Sequence, residues 1–304
     1  MIEAAPEVRP WSASDGYPVH VEVWPAAGGP AAMRGKVLIL HGVQSHAGWY
    51  RGTGRVLAEL GYEAHLTDRR GSGSNRKDRG HTPSLARLLD DVAEYLAALR
   101  HADPAVPVAL AGISWGGKLA VVTAGERPEL VDALALICPG LHPKVDVTTG
   151  ERLRIALAYF TRPLKAFPIP LSDPALFTDS PEGRAFIASD PLGLRAATAS
   201  LLAASRFLDS RVARVPGRVH QPALLMLADR DRIVHNGKTL GYWDRVASPR
   251  KAVIRYPEGH HTLEFDPDPT LYARDLAAWL DANLAPAAAV SPAGGPDRGT
   301  RQEA

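Results

Sequence analysis

The stretch "ALAGISWGGKLAVV", Ala109 to Val122, runs from small apolar residues through Gly112-Ile113-Ser114-Trp115-Gly116 into good helix formers. The continuous apolar run "PVALAGI" (Pro107 to Ile113) reads as a strand buried on both faces, and "GGKLAVVTAGE" as a helix. G-x-S-x-G between a strand and a helix is the pattern of a nucleophile elbow, a sharp turn that lifts a serine out of the sheet edge. A serine hydroxyl is a weak nucleophile near neutral pH and needs a base within hydrogen-bond reach and donors for the oxyanion it creates. The N-terminus of the following helix points N–H groups toward such a charge. Ser114 is therefore the candidate nucleophile. Gly112 and Gly116 relieve crowding on either side of it, and Trp115 offers one oxyanion N–H.

Working outward, apolar runs alternate with amphipathic ones. "YPVHVEVWPA" (Tyr17 to Ala26) has period-2 character and predicts an early antiparallel strand. "KVLIL" (Lys36 to Leu40), "YEAHLTD" (Tyr62 to Asp68), "VDALALICP" (Val131 to Pro139), "PALLMLAD" (Pro222 to Asp229) and "KAVIRYP" (Lys251 to Pro257) predict further strands. Helices are expected over Arg51 to Leu60, Thr82 to Arg100 with Thr82 as N-cap and Pro83 at N1, Gly117 to Gly125, Gly237 to Val246 and Thr270 to Leu284. Strands covered by intervening helices define an α/β class with a mostly parallel sheet. Residues 1–16 read as an N-terminal extension, and 17–140 with 217–284 as the core. Residues 141–216, punctuated by Pro163, Pro168, Pro170, Pro174, Pro181 and Pro191, read as a helical cap inserted over the sheet, and 285–304 as a disordered tail.

The order Ser, acid, His along the chain prunes the eleven histidines. His235, His260 and His261 alone follow a late acid, and His235 stands too close to Asp231 to be served by the same loop. "YPEGHHTLEFD" (Tyr256 to Asp266) follows the last strand, where a base reaching the sheet edge belongs; either His260 or His261 fits. "LLMLADRDRIVHN" offers Asp229 and Asp231. Asp231 is favoured, because Ile233-Val234 can pin its loop to the core whereas Asp229 ends the strand and suits a turn. His41-Gly42 closes the "KVLIL" strand, and the loop there can supply the second oxyanion N–H from Val43.

Composition excludes several classes. With 35 basic and 33 acidic residues and no separate Lys/Arg block, nucleic acid is not an expected partner. One cysteine, Cys138, precludes an internal disulfide and fits a reducing compartment, so the expected location is the cytoplasm. No signal-peptide pattern and no apolar run of about 18 residues argue against stable membrane insertion. No H-E-x-x-H or Cys/His spacing suggests a metal, Gly71-Ser72-Gly73-Ser74 lacks the Lys-Ser/Thr of a phosphate loop, and no cofactor is implied. Trp49, Tyr50, Trp115, Tyr159 and Phe160 are candidates for lining an acyl pocket.

Together these residues resemble the α/β-hydrolase superfamily, and within it the monoacylglycerol lipase and lysophospholipase group. "LILHGVQSHAGWY" is similar to that group's oxyanion loop, "LTDRRGSGSN" to its Asp-x-x-Gly-x-Gly-x-Ser segment and "GISWGGKLA" to its elbow. "LADRDRIV" resembles its acid loop, with Ala228 in place of the usual glycine. "YPEGHHTLEFD" resembles its histidine segment, and "ASDPL" (Ala188 to Leu192) a piece of its cap. The resemblance implies an eight-stranded type of α/β-hydrolase sheet with a cap, Asp231 as acid and His261 as base. It implies hydrolysis of a small acyl ester through an acyl-enzyme, with thioesters, amides or C–C bonds as alternative substrates and an inactive binding protein as the non-enzymatic alternative. The Pro- and Ala-rich cap carries no long uninterrupted apolar helix, so any lipid contact is expected to be transient and made through the cap.

Overall fold

The computed structural model describes residues 5–284. Eight strands form one sheet: β1 (Glu7–Val8), β2 (Val21–Trp24), β3 (Gly35–Leu40), β4 (Tyr62–Thr67), β5 (Val108–Ile113), β6 (Ala133–Ile137), β7 (Ala223–Ala228) and β8 (Lys251–Tyr256). Their order is β1-β2-β4-β3-β5-β6-β7-β8. β1 with β2 and β2 with β4 pair antiparallel; every other pair is parallel. Strands β3, β5, β6 and β7 are buried at every residue. That is why, apart from Lys36 at the start of β3, they read as continuous apolar runs rather than alternating ones.

The helices are α1 (Arg51–Glu59), α2 (Leu85–Ala102), α3 (Trp115–Glu126), α4 (Thr149–Thr161), α5 (Pro181–Ser189), α6 (Ala199–Val212), α7 (Asn236–Asp244) and α8 (Leu271–Asn283). From β3 the chain crosses to β4 on one side and then returns to β5 on the other, so the connection reverses between β3 and β5. In an open α/β sheet the crevice at the carboxyl ends of such a strand pair is where ligands bind. α3 is buried from Trp115 through Gly125, which requires its all-round apolar sequence; Lys118, the exception, is paired with Asp209 at 2.6 Å. Each fully buried Leu, Ile or Val of this core contributes about 1.5–3 kcal/mol.

Three local readings change. The segment before Tyr17 is part of the fold: β1 widens the sheet, and Trp11–Ser12 pairs with Pro18–Val19 while Trp11 packs edge-on against Tyr95 of α2. The early strand is consequently split in two. The N-cap of α2 is Ser84, not Thr82: Ser84 is fully extended and its Oγ accepts from the Arg87 N–H, whereas the Thr82 hydroxyl donates to the Ser84 carbonyl.

Residues 141–216 carry α4, α5 and α6 together with a short antiparallel pair, Ala166–Pro168 with Ala196–Thr198, which the helical reading did not include. α4 opens with a full capping box, Thr148 with Glu151. The segment is fastened to the core through backbone bonds from Leu194 to Gln44, Thr198 to Gly80 and Thr262 to Phe177. Asp190 adds side-chain bonds to the Trp49 indole at 2.8 Å and to His46 at 3.1 Å. The proposed tail, 285–304, lies outside the described residues.

Candidate active site

Ser114 sits between β5 and α3 with φ +53° and ψ −122°, a conformation sparsely populated by any residue with a Cβ. Three backbone bonds hold it there. Its N–H donates to the Ile137 carbonyl (3.0 Å), and its carbonyl accepts from the N–H groups of Gly117 (3.0 Å) and Gly140 (2.7 Å). The glycines are dictated by contact. A Cβ on Gly112 would lie 2.6 Å from the Ala120 Cβ; on Gly116, 2.3 Å from the Leu40 carbonyl oxygen; on Gly117, 2.7 Å from Pro139. Helix and strand thus approach more closely than any side chain permits.

His261 joins Ser114 to Asp231. Its Nε2 is 2.8 Å from Ser114 Oγ and its Nδ1 is 2.8 Å from Asp231 Oδ2. Asp231 is buried at the end of the loop after β7. Its other oxygen accepts from the backbone N–H groups of Ile233 (2.7 Å) and Val234 (2.8 Å), the two residues that the sequence suggested would pin the loop. Burial alone would raise the Asp231 pKa, but the His261 ring and these two N–H groups together hold it below the ordinary carboxylate range. Asp229 points elsewhere: it is exposed and paired with Arg255 at 2.8 Å.

His260 does not face Ser114. Its Nε2 lies 2.8 Å from Asp179, in the segment between α4 and α5, and its Nδ1 lies 3.1 Å from Asp266. With both nitrogens committed to carboxylates, neither is aimed at Ser114. His235 precedes α7, bonding through its backbone N–H to the His142 carbonyl. The loop of His261 is anchored by Glu264, a buried carboxylate that accepts from the Thr53 N–H (3.1 Å) at the start of α1, from the Thr53 hydroxyl and from the Tyr272 hydroxyl (2.6 Å). Burial pushes its pKa up, and the helix N-terminus beside it favours the charged form.

The loop after β3 abuts the elbow: a Cβ on Gly42 would be 3.3 Å from the Ser114 Cβ. His41 orients this loop. Its Nε2 accepts the Arg69 backbone N–H (2.9 Å), so the ring proton resides on Nδ1 and donates to the Gly42 carbonyl (2.7 Å). Burial, with Arg69 nearby, pulls the His41 pKa well below its usual value and keeps the ring neutral. Arg69 itself donates to the carbonyls of Gly42 (3.2 Å) and Val43 (3.0 Å) and lies over the Trp115 ring, 4.8 Å from its centre. Among the described residues, the backbone N–H groups of Val43 and Trp115 donate to no protein acceptor. The Gly71–Ser74 turn wraps the Asp68 carboxylate, which accepts from the N–H groups of Ala47 and Ser74, each at 2.7 Å. Gly71 and Gly73 both have positive φ there.

Val43, Ser114 and Trp115 line a cavity of about 620 Å³ together with residues of α4, α6 and the irregular segment Ile169–Leu171. Its walls are mostly apolar, including Leu153, Ile155, Tyr159, Leu201 and Phe207. Of the five aromatics proposed for an acyl pocket, Trp115, Tyr159 and Phe160 line it. Trp49 and Tyr50 are buried in the core instead. Trp49 packs edge-on against Phe177 and Phe186, because its indole is tied to Asp190 and cannot turn into the cavity. The two carboxylates on the cavity wall are both paired, Asp146 with Arg152 (2.6 Å) and Asp209 with Lys118 (2.6 Å). α4 is short, yet it presents Leu153, Leu157 and Phe160 to solvent, followed by Leu164; Phe160 is 81% exposed. Cys138 is buried, and burial keeps its thiol protonated. Among the described residues, no cluster of three His, Cys, Asp or Glu side chains is arranged to hold a metal ion, and no helix is long and apolar enough to cross a membrane.

The family model described as serine aminopeptidase, S33, matches residues 31–268. The monoacylglycerol lipase of Mycolicibacterium smegmatis is 23% identical over 290 residues, spanning 93% of this chain and all of the relative. The human monoglyceride lipase is 26% identical over 285 residues, 92% of each chain. Among solved structures, a soluble variant of the Saccharomyces cerevisiae monoglyceride lipase in complex with a substrate analog superposes with a TM-score of 0.81 at 19% identity, covering 93% of this chain and 97% of the other. The family model covers well over half of the chain, which belongs to the serine aminopeptidase S33 family and has the α/β-hydrolase fold.

Proposed function

We propose that Ser114, His261 and Asp231 are the nucleophile, base and acid of a serine ester hydrolase, with the Val43 and Trp115 N–H groups as its oxyanion hole. The observation that carries this reading is the single imidazole bridging Ser114 Oγ and Asp231 Oδ2 at 2.8 Å on each side. The chain is a serine hydrolase of small-molecule carboxylic esters. Ser114 Oγ bonds to the acyl carbon as His261 Nε2 takes its proton, and the carbonyl oxygen becomes an anion facing the two N–H groups. On collapse the C–O bond to the alcohol breaks, and the imidazolium returns the proton to the leaving oxygen. Water, deprotonated by the same nitrogen, then releases the acid. Asp231, ionised and fixed by backbone donors, keeps the imidazole in the tautomer this sequence requires.

The cavity favours an ester with a long apolar acyl chain over an aminopeptide. A free α-amino group calls for an uncommitted carboxylate, and Asp146 and Asp209 are both engaged by cations. The relatives' names add a glycerol monoester as the natural class of substrate, with glycerol as the leaving alcohol. Hydrolysis of 4-nitrophenyl esters from acetate to palmitate tests the reading. The expected result is a Ser114-dependent rate with an optimum at medium to long chains. A folded protein inactive on every ester sinks it.

Transient contact with lipid through the cap completes the proposal. Leu153, Leu157, Phe160 and Leu164 share one exposed side of α4 and its extension, beside the cavity. Leu157, 66% exposed, is not among the cavity's lining residues. Leu157→Glu should reduce co-sedimentation with phosphatidylcholine vesicles and slow hydrolysis of vesicle-borne monoacylglycerol, leaving a soluble short ester unaffected. Equal rates on both substrates would remove the cap from lipid capture. The lone buried thiol supports a cytoplasmic location.

A further inference from the structure

We propose that Arg69 is the positioning residue of the oxyanion hole, orienting and polarising the Val43 N–H through the Gly42 carbonyl. The inference rests on the assignment of Val43 and Trp115 as oxyanion donors, and it concerns a side chain that takes no part in the triad. Gly42 C=O and Val43 N–H belong to one trans peptide, so they point in opposite directions. Arg69 Nη1 (3.2 Å) and His41 Nδ1 (2.7 Å) both donate to the Gly42 oxygen, which fixes the carbonyl on their side and turns the N–H to the other. Arg69 Nη2 takes the next carbonyl, that of Val43, at 3.0 Å. Two donors on one amide oxygen also draw electron density from its nitrogen and make the N–H a stronger donor, the cooperative effect of linked hydrogen bonds in a low dielectric.

The same guanidinium lies over the indole of Trp115, the residue that carries the second donor. Arg69 therefore touches both residues of the hole without reaching the reacting atoms. Its hydrogen bonds go to carbonyls rather than to a carboxylate, and its Nε is buried without a partner. The neighbouring Asp68 is occupied by the N–H groups of Ala47 and Ser74. Burial lowers the Arg69 pKa to about 10, which leaves the group charged at neutral pH. A cation held there without a direct ion-pair partner, only partly offset by the Asp68 charge nearby, lends its field to the oxyanion that forms beyond the Gly42–Val43 peptide.

Arg69→Met keeps most of the volume and removes the charge and the donors. The expected result is a fall in kcat of about 10- to 100-fold, less than the loss of a direct oxyanion donor, with KM within about 3-fold of wild type. Affinity for a trifluoromethyl ketone, whose serine hemiketal carries the same oxyanion, should fall in parallel with kcat/KM. Arg69→Lys, which retains the charge and one carbonyl contact, should be intermediate in both readouts, and it decides the matter if Arg69→Met does not fold. Unchanged kcat overturns the proposal, as does a loss of kcat that leaves ketone affinity intact. If wild type turns over no ester, the rate of Ser114 labelling by a fluorophosphonate replaces kcat. A labelling rate that falls with Arg69→Met sustains the role of Arg69 apart from the ester reading. Unchanged labelling, or a wild type inert to the reagent, overturns it.

Discussion

Ser114→Ala should lower ester turnover by about 10⁶-fold, with whatever rate survives coming from substrate binding and the oxyanion donors alone. The variant folds, because the three backbone bonds that hold position 114 do not involve the hydroxyl. It keeps the strain of φ +53°, since alanine also carries a Cβ. Ser114→Gly should be equally inactive but melt higher than Ser114→Ala. Relief of a strain worth about 1–3 kcal/mol outweighs the roughly 0.5–1 kcal/mol that glycine's extra freedom costs. Steady-state hydrolysis beside calorimetry of the three proteins checks both parts. If Ser114→Ala keeps more than a few per cent of the wild-type rate, the nucleophile is elsewhere. If the glycine variant melts no higher, the elbow is not strained.

The second large effect separates adjacent histidines. His261→Ala should lose activity to about the same extent as Ser114→Ala, because the two act as one unit. His260→Ala should stay within about 10-fold of wild type, since its ring nitrogens bond Asp179 and Asp266 rather than Ser114. Its defect should appear instead in stability, through the released contact between the loop after β8 and the segment that bears Asp179. Measured rates and melting temperatures of the two variants decide it, and the reverse ranking would move the base one residue back.

The core of the fold was legible because fully buried parallel strands have a simple signature. β3, β5, β6 and β7 appear in the sequence as apolar runs of four to six residues ending where a histidine, serine, cysteine or aspartate begins. The elbow was legible because its glycines answer to backbone clashes that any sequence must avoid. The preference for Asp231 over Asp229 came from Ile233-Val234, and the structure places their N–H groups on its carboxylate. The choice between His260 and His261 was not a matter of local pattern. It depends on which way a loop turns after β8, and that is set by Glu264 grasping α1, a contact separated by 211 residues. For the same reason Arg69 was invisible in "DRRGSG": a basic residue after a strand acquires its meaning from carbonyls 26 and 27 residues away. In the sequence the cap is legible only as a helical insertion punctuated by prolines, and its short antiparallel pair is not, because short, Pro-broken elements owe their form to what they lie on.

The spacing of the triad also sets the time at which it can act. His261, the proposed base, lies 147 residues after Ser114, the proposed nucleophile, on a loop that follows the last strand of the sheet. At a synthesis rate of about 5–20 residues per second, roughly 7 to 30 s separate the emergence of the two from the ribosome. Throughout that interval the serine exists as an ordinary alcohol, without a partner to take its proton. The enzyme is thus born inert, and its reactivity switches on only once the final strand has docked.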